Sequence, residues 1–462
     1  MTDNAATFFD QIATWVEALS HDAIPVDARR NAERAILDLL GVSIAGTTHE
    51  LAAHLGQYLE TSGLTADPAC GLIGRSERAS AEGATLYNAA IGHVLDFDDS
   101  SDTLGGHPTV VMLPALLAIS ETRTVTGAEM VTAYVAGVEV AAHIANQVNI
   151  AHYERGWHPT ATLGIFGCAA ACAKLLGLDA PGIARALSIA SASPSGLRAH
   201  FGSHMKSVQV GEAARSGLRS ALLAGAGIAG HPAAFEHEQG FGAVYNGEDG
   251  FRSEPFDSSP TRRWDIIEPG LVVKQYPCCA SAHPAIDAAL DLRDQISDVS
   301  DIDQIRIRLH PRRLRHTNNP QPSTALQGKF SVQYLVATAL CTGGITLGDF
   351  TPEAMGRRDV GQLLDRLHAE PFPPEEYGPD HYAGEVMLTL ADGSTLRRRV
   401  EKARGRGTEF ALSDREVIGK FRACAEPVLG DARIDAILDA VNSLATMNDV
   451  RELVDLATGT PT

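Results

Sequence analysis

Lysine is scarce in this chain, supplying six of the 38 basic residues, at positions 174, 206, 274, 329, 402 and 420. Set against 57 acidic residues, those 38 leave a formal net charge of −19, so no broad basic face is expected and nucleic-acid partners are excluded. No apolar run reaches the roughly 18 to 20 residues of a membrane span without a Gly or polar interruption, which excludes a transmembrane helix. The N-terminal stretch MTDNAATFFDQIATWV is polar and lacks the basic start of a secretion signal, so a cytoplasmic location is expected. The seven cysteines contain no CxxC, and the adjacent Cys278–Cys279 pair suits neither a disulfide framework nor a zinc cluster. No repeat period is visible, which excludes a solenoid. The glycine-rich GAGIAG at 225–230 neither follows a strand nor opens a helix, so it fails the context test for a dinucleotide loop.

What the chain has in abundance is helical patterning. Phe8, Ile12, Trp15, Val16 and Leu19 form one apolar stripe, and Ala28, Ala32, Ala35, Ile36, Leu39 and Leu40 another. Ala-rich segments at about 80–95, 108–121, 127–148, 160–177, 181–192 and 209–229 continue the series, with Ala or Gly where close-packed helices need small residues. Near Trp264 the character changes: IRIRLH (305–310) alternates like a half-buried strand, and EVMLTL (385–390) and TLRRRV (395–400) flank an Ala-Asp-Gly-Ser turn. At 462 residues two domains are expected. The reading is a mainly α protein with a large all-helical domain built from both chain ends (1–267 and 409–462). A smaller α+β lid domain is inserted at 268–408, and a substrate is expected in the cleft between them.

Four separated stretches place ionisable groups in Gly/Pro-bounded loops: DFDDSSDTLGGHP (96–108), RGWHPT (155–160), HMK (204–206) and KQYPCC (274–279). Carboxylates, imidazoles and ammonium groups are the set that holds a polyanionic substrate and moves protons without a cofactor. Two of the six lysines, Lys206 and Lys274, fall inside these stretches, and a lysine in an apolar setting can trade a proton where arginine cannot. His-Pro occurs five times; a helical pattern follows His107, His158, His231 and His283, whereas His310 ends a strand. An imidazole at a helix mouth is disfavoured as a cation, so neutral His107 and His158 are expected. The acidic loop of Asp96, Asp98, Asp99 and Asp102 has three readings: a carboxyl with a raised pKa, a divalent-metal site with His93 and His107, or a solvated loop. No recognised metal-ligand motif supports the second. Tyr153, just before RGWHPT, adds a phenol, and His204 stands two residues before Lys206.

Taken in order, DFDD…HP, GWHPTATLGIFGCAAACAKLLGL, HMKSVQVGEAARSGLRSALLAGAGIAG and VVKQYPCCASAHPAIDA resemble the MmgE/PrpD family, roughly over residues 8–425. The resemblance implies a homodimer whose subunits carry a helical domain and a lid, and chemistry on a small anionic carboxylate with no cofactor. Position by position, it implies pocket roles for Asp96, His107, His158, Lys206 and Lys274. Ser100 stands where the decarboxylase branch has Thr, Cys279 where it has His, and His316 or its neighbours where it has Tyr. The Ser100 departure keeps the hydroxyl, whereas the other two count against decarboxylation and leave the other reaction types open. A hydro-lyase of the 2-methylcitrate dehydratase type ranks first because dehydration is the commonest activity the resemblance implies. An iminodisuccinate-type epimerase using Tyr153 follows, then a cis-aconitate-type decarboxylase. A metal-dependent hydrolase built on the acidic loop is the reading from another class.

Overall fold

The structure, a computed structural model, describes residues 6–67, 69–377 and 381–459; the first five residues of the polar N-terminal stretch lie outside them. The protein is mainly α, as the periodicity implied: 57% helical, with 21 α-helices among the described residues and only small sheets. No helix among these residues is long and apolar enough to cross a membrane. The chain divides into two compact units, 1–273 with 413–462, and 274–412. Residues 268–273 stay with the helical unit because the short strand Leu271–Val272 pairs antiparallel with Ser100–Ser101.

In the helical unit the stripe read from sequence is the buried face of helix Phe8–Ala18, which Thr7 and Asp10 start with a reciprocal capping box. Helix Val26–Gly46 buries the six positions expected of it. Helices Ala81–Val94, Pro108–Thr122, Gly127–Val148, Gly164–Leu175 and Met205–Gly225 complete the frame around the site. Small residues bring these axes together. A Cβ on Gly211 would lie 2.5 Å from the Leu86 carbonyl oxygen, so the 205–225 helix rests directly on the 81–94 backbone. The 205–225 helix also begins four residues before the expected 209, which puts Lys206 inside its first turn.

The second unit holds a four-stranded sheet in the order Leu367–Pro371, Ile302–Leu309, Gly384–Leu390, Thr395–Val400; the first pair is parallel and the others antiparallel. The expected hairpin forms, with Gly393 at φ +85° in its turn. Strand 367–371 went unread because LHAEP has neither alternation nor β-branched residues. Ile305, Ile307, Leu309, Val386 and Leu388 pack with Ile286 and Leu335 of two covering helices to form this unit's core.

Two His-Pro readings change. His310 does open a helix, Pro311–Thr317, and its ring accepts a hydrogen bond from the Arg312 N–H. His231 is followed by turns and caps only the local Ala233 N–H.

Candidate active site

Helix Ala81–Val94 carries His93 in its last turn, and the chain then leaves through Asp96, whose φ of +52° lies in the left-handed region. That exit delivers Asp96, Asp98 and Asp99 in quick succession to the buried side of the loop. The N-terminus of helix Met205–Gly225, seated on the 81–94 helix through Gly211, brings Lys206 to the same point. Lys206 Nζ lies 2.8 Å from Asp96 Oδ1 and 2.7 Å from His93 Nε2. His93 Nδ1 in turn lies 2.8 Å from Asp98 Oδ2. His107, at the N-cap of helix Pro108–Thr122, sets its Nδ1 3.2 Å from Asp98 Oδ2 and its Nε2 4.0 Å from Asp96 Oδ1. His158 completes the group, its ring 5.9 Å from that of His93 and edge-on to Phe201.

The electrostatics assign the protons. Burial, with Lys206 beside it, pushes His93 down to about 4 against the pull of Asp98, so the ring is neutral at pH 7. Neutral His93 therefore donates from Nδ1 to Asp98 and accepts at Nε2 from Lys206. Burial works against ionised Asp98, but His107 and His93 together outweigh it and hold the carboxyl well below its ordinary value. Burial first, and Lys206 next, push His158 well below the usual imidazole range. Its neutrality is thus a matter of desolvation and a nearby cation; the helix that follows, Pro159–Thr162, is a single short turn. The raised carboxyl in the loop is Asp99, which burial lifts to about 8 against the hydrogen bond from Thr109. Asp99 lies beneath the site, in a buried array with Thr109, Tyr134, Asp38 and Lys420; Lys420 also donates to the Phe97 carbonyl, bracing the loop from behind.

Within this group exposure is uneven. The His107 side chain is 13% exposed, against 0% for His93, 5% for Asp96 and 6% for Lys206, so His107 forms the open edge of the cluster. His93, Asp98 and His107 also bring three ligand-type atoms within 4.8 Å of one another, the spacing of a metal site. Both nitrogens of His93 are already engaged, however, and a cation there would sit against the Lys206 ammonium. The donor set fits an ammonium-centred anion site better than a metal centre.

Residues 10–254 match the MmgE/PrpD N-terminal domain and residues 276–444 the MmgE/PrpD C-terminal domain. The chain belongs to the MmgE/PrpD family. Among curated relatives it is 27% identical to the cis-aconitate decarboxylase of Homo sapiens over 463 residues, covering 97% of this chain and 94% of that protein. It is 26% identical to the cis-aconitate decarboxylase of Aspergillus terreus, covering 96% and 95%. A 2-methylcitrate dehydratase of Salmonella typhimurium is 25% identical over 305 residues, 62% of each chain. The ranking that put the dehydratase type first is thereby reversed, since decarboxylases align along almost the whole chain and the dehydratase along less than two thirds of it.

Of the residues singled out in this MmgE/PrpD sequence, the helical unit gathers Asp96, His107, His158 and Lys206. Ser100, half-buried, pairs with Val272 just beyond the acidic run. Two residues do not join the cluster. The Tyr153 ring stacks on the Arg198 guanidinium at 3.7 Å. His204 turns to Glu50, 3.1 Å away, and to the rings of His49 and His54. Lys274, Cys279 and His316 belong to the second unit: Lys274 is 1% exposed, Cys279 N–H donates to the Lys329 carbonyl, and His316 Nε2 lies 3.0 Å from Ser281 Oγ. Sequence reading missed His93 as the hub, Asp98 as its partner and Gln209 behind His158. The pattern His93…Asp96-Phe97-Asp98 across a helix end was the available signal.

Proposed function

We propose that the protein is a lyase acting on a small polycarboxylate, by decarboxylation of an unsaturated tricarboxylate of the cis-aconitate kind. The observation that carries this reading is Lys206, a buried ammonium braced between His93 and Asp96 with His107 and His158 around it. The near full-length similarity to cis-aconitate decarboxylases supports the same choice.

In this reading the Lys206 ammonium and the neutral His158 ring hold substrate carboxylate and stabilise negative charge as it develops, at a buried site where such interactions are strong. The bond from carbon to one carboxylate breaks and carbon dioxide leaves. The electron pair stays on the organic fragment as an allylic carbanion spread over the adjacent double bond. His107, at the open edge between Asp98 and Asp96, supplies the proton that quenches the far end of that allylic unit and is then reprotonated from solvent. One proton is consumed for each carbon dioxide released. Asp98 and Asp96 orient the rings and the ammonium through the distances given above.

A second reading, dehydration of a hydroxylated tricarboxylate, is supported by the partial similarity to a 2-methylcitrate dehydratase. The resemblance also implies departures from the decarboxylase branch at Cys279 and at His316 or its neighbours, which count against decarboxylation. The deciding experiment is proton NMR of the purified enzyme in heavy water with cis-aconitate, 2-methylcitrate, citrate, iminodisuccinate and malate. Loss of cis-aconitate signals with a deuterium-labelled decarboxylated product supports the proposal. Turnover of 2-methylcitrate alone, with no carbon dioxide released from any substrate, overturns it in favour of dehydration.

A further inference from the structure

His158 is a neutral imidazole at the site, and a neutral ring carries its single proton on one nitrogen or the other. Which one decides whether the ring gives or takes a proton at the substrate. The surroundings of its Nδ1 answer that question.

Gln209 lies three residues beyond Lys206 on the same helix, hence on the same face, and is buried. Its amide is gripped at both atoms by one residue: the Leu197 N–H donates to Oε1 at 3.0 Å, and Nε2 donates to the Leu197 carbonyl at 3.3 Å. The flipped amide would set oxygen against oxygen and N–H against N–H, so the orientation is determined. The second hydrogen on Nε2 is then aimed at His158 Nδ1, 2.6 Å away. The segment that holds the amide is itself tied to His158, whose backbone N–H donates to the Gly196 carbonyl at 3.0 Å. An amide N–H donates only, so Nδ1 must offer its lone pair, and the proton of the neutral ring sits on Nε2.

We propose that Gln209 is a positioning residue that locks His158 as the Nε2–H tautomer, so that His158 presents a hydrogen-bond donor to substrate carboxylate and cannot serve as a base. This rests on the lyase reading above for its catalytic consequence, but the tautomer itself does not. His158 as a base would need a lone pair on Nε2 and a proton on Nδ1, which would oppose the Gln209 N–H at hydrogen-bond distance. His107, which faces the carboxylates Asp98 and Asp96, has no such constraint on the same side.

The test uses the full-length enzyme labelled with 15N-histidine, without substrate, at neutral pH. Two-bond proton–nitrogen correlation reads which ring nitrogen is protonated, and His158→Gln identifies the His158 signals by their loss. A lone pair on Nδ1 and a proton on Nε2 are expected. In Gln209→Glu the new carboxylate accepts at that point, so His158 is expected to gain a proton on Nδ1. Turnover should then fall about ten-fold or more, KM should rise as Nε2 ceases to donate to substrate carboxylate, and the pH optimum should move. A merely structural role would lower the melting temperature and leave the tautomer and pH profile where they were. The proposal is overturned if wild-type His158 carries its proton on Nδ1, or if Gln209→Glu leaves Nδ1 unprotonated. The wild-type spectrum decides alone if the variant does not fold. Because it needs no substrate, failure of the polycarboxylate panel leaves the tautomer result standing, and an active enzyme with Nδ1–H rejects Gln209 while keeping the lyase.

Discussion

Lys206 Nζ stands 2.7 Å from His93 Nε2, an ammonium donating to an imidazole that burial and the cation itself keep neutral. The pairing leaves Asp96 as the counter-charge and holds the positive group in a place from which water is largely excluded, where it acts most strongly on an anion.

Replacement of Lys206 by Met is therefore expected to lower kcat by about 10²–10³, the scale for losing a preorganised charge-stabilising donor. Lys206→Arg should not restore it, since a planar fork cannot occupy the point between His93 Nε2 and Asp96 Oδ1 that a compact ammonium fills. Steady-state kinetics on the substrate found by the NMR panel checks both, with circular dichroism confirming that the helices remain. Wild-type turnover in Lys206→Met would remove the lysine from the mechanism.

Much of this site was legible because Pro marks it. His107 and His158 each precede a proline that opens a helix, and the two lie where the chain enters the cluster. Neighbours in sequence were the misleading part. His204 and Lys206 are two residues apart at a helical turn, so their side chains diverge to different faces, one to Glu50 and one to Asp96. Tyr153 belongs to a separate turn, and the chain reverses at Gly156, φ +97°, before reaching His158. His93 was seen only as a possible metal ligand because it sits among apolar residues of a helix, and its role depends on Lys206, 113 positions away. The amphipathic stripes at 8–19 and the Asp-Gly hairpin were readable for the opposite reason, since each is a local pattern.

Asp99 gives a stability test with a definite sign. Burial holds its folded-state value at about 8, while an unfolded Asp ionises near 4, so between those pH values the native state binds the extra proton. Its contribution to stability is greatest below that window and is lost as pH rises through it. His93, held at about 4, acts in the opposite sense between about 4 and 6.5, and His158, held well below its ordinary value, acts in that sense too, so the informative quantity is a difference. The melting temperature of wild type minus that of Asp99→Asn should fall as pH is raised from about 5 to 8. A difference that stays flat across that range would mean that Asp99 is ionised in the folded protein.

Metal dependence is the next discriminating measurement. With His93 engaged at Nδ1 by Asp98 and at Nε2 by Lys206, a divalent ion gains His93 only by displacing one of them. Enzyme treated with chelator is expected to keep its activity, and added Mg²⁺, Mn²⁺ or Fe²⁺ to change the rate by no more than about two-fold, far below the effect of a catalytic metal. Loss with chelator and recovery with one metal would instead assign His93, Asp98 and His107 as ligands.

The position of Lys206 depends finally on how closely two helices approach. Gly211 has no side chain because the Leu86 carbonyl oxygen occupies the place its Cβ would take, 2.5 Å away, and that contact is with backbone, which cannot swing aside. Gly211→Ala must push the 205–225 helix off the 81–94 helix, at a cost of about 1–3 kcal/mol for overpacking, readable by chemical denaturation. The same displacement draws Lys206 away from His93 and Gln209 from its place against His158, since Lys206 and Gln209 ride on the 205–225 helix and His93 on the 81–94 helix. Activity is therefore expected to fall in Gly211→Ala well below the temperature at which it unfolds. An alanine variant that is destabilised yet fully active at 25 °C would show that the site tolerates a looser approach of its two supporting helices than the structure indicates.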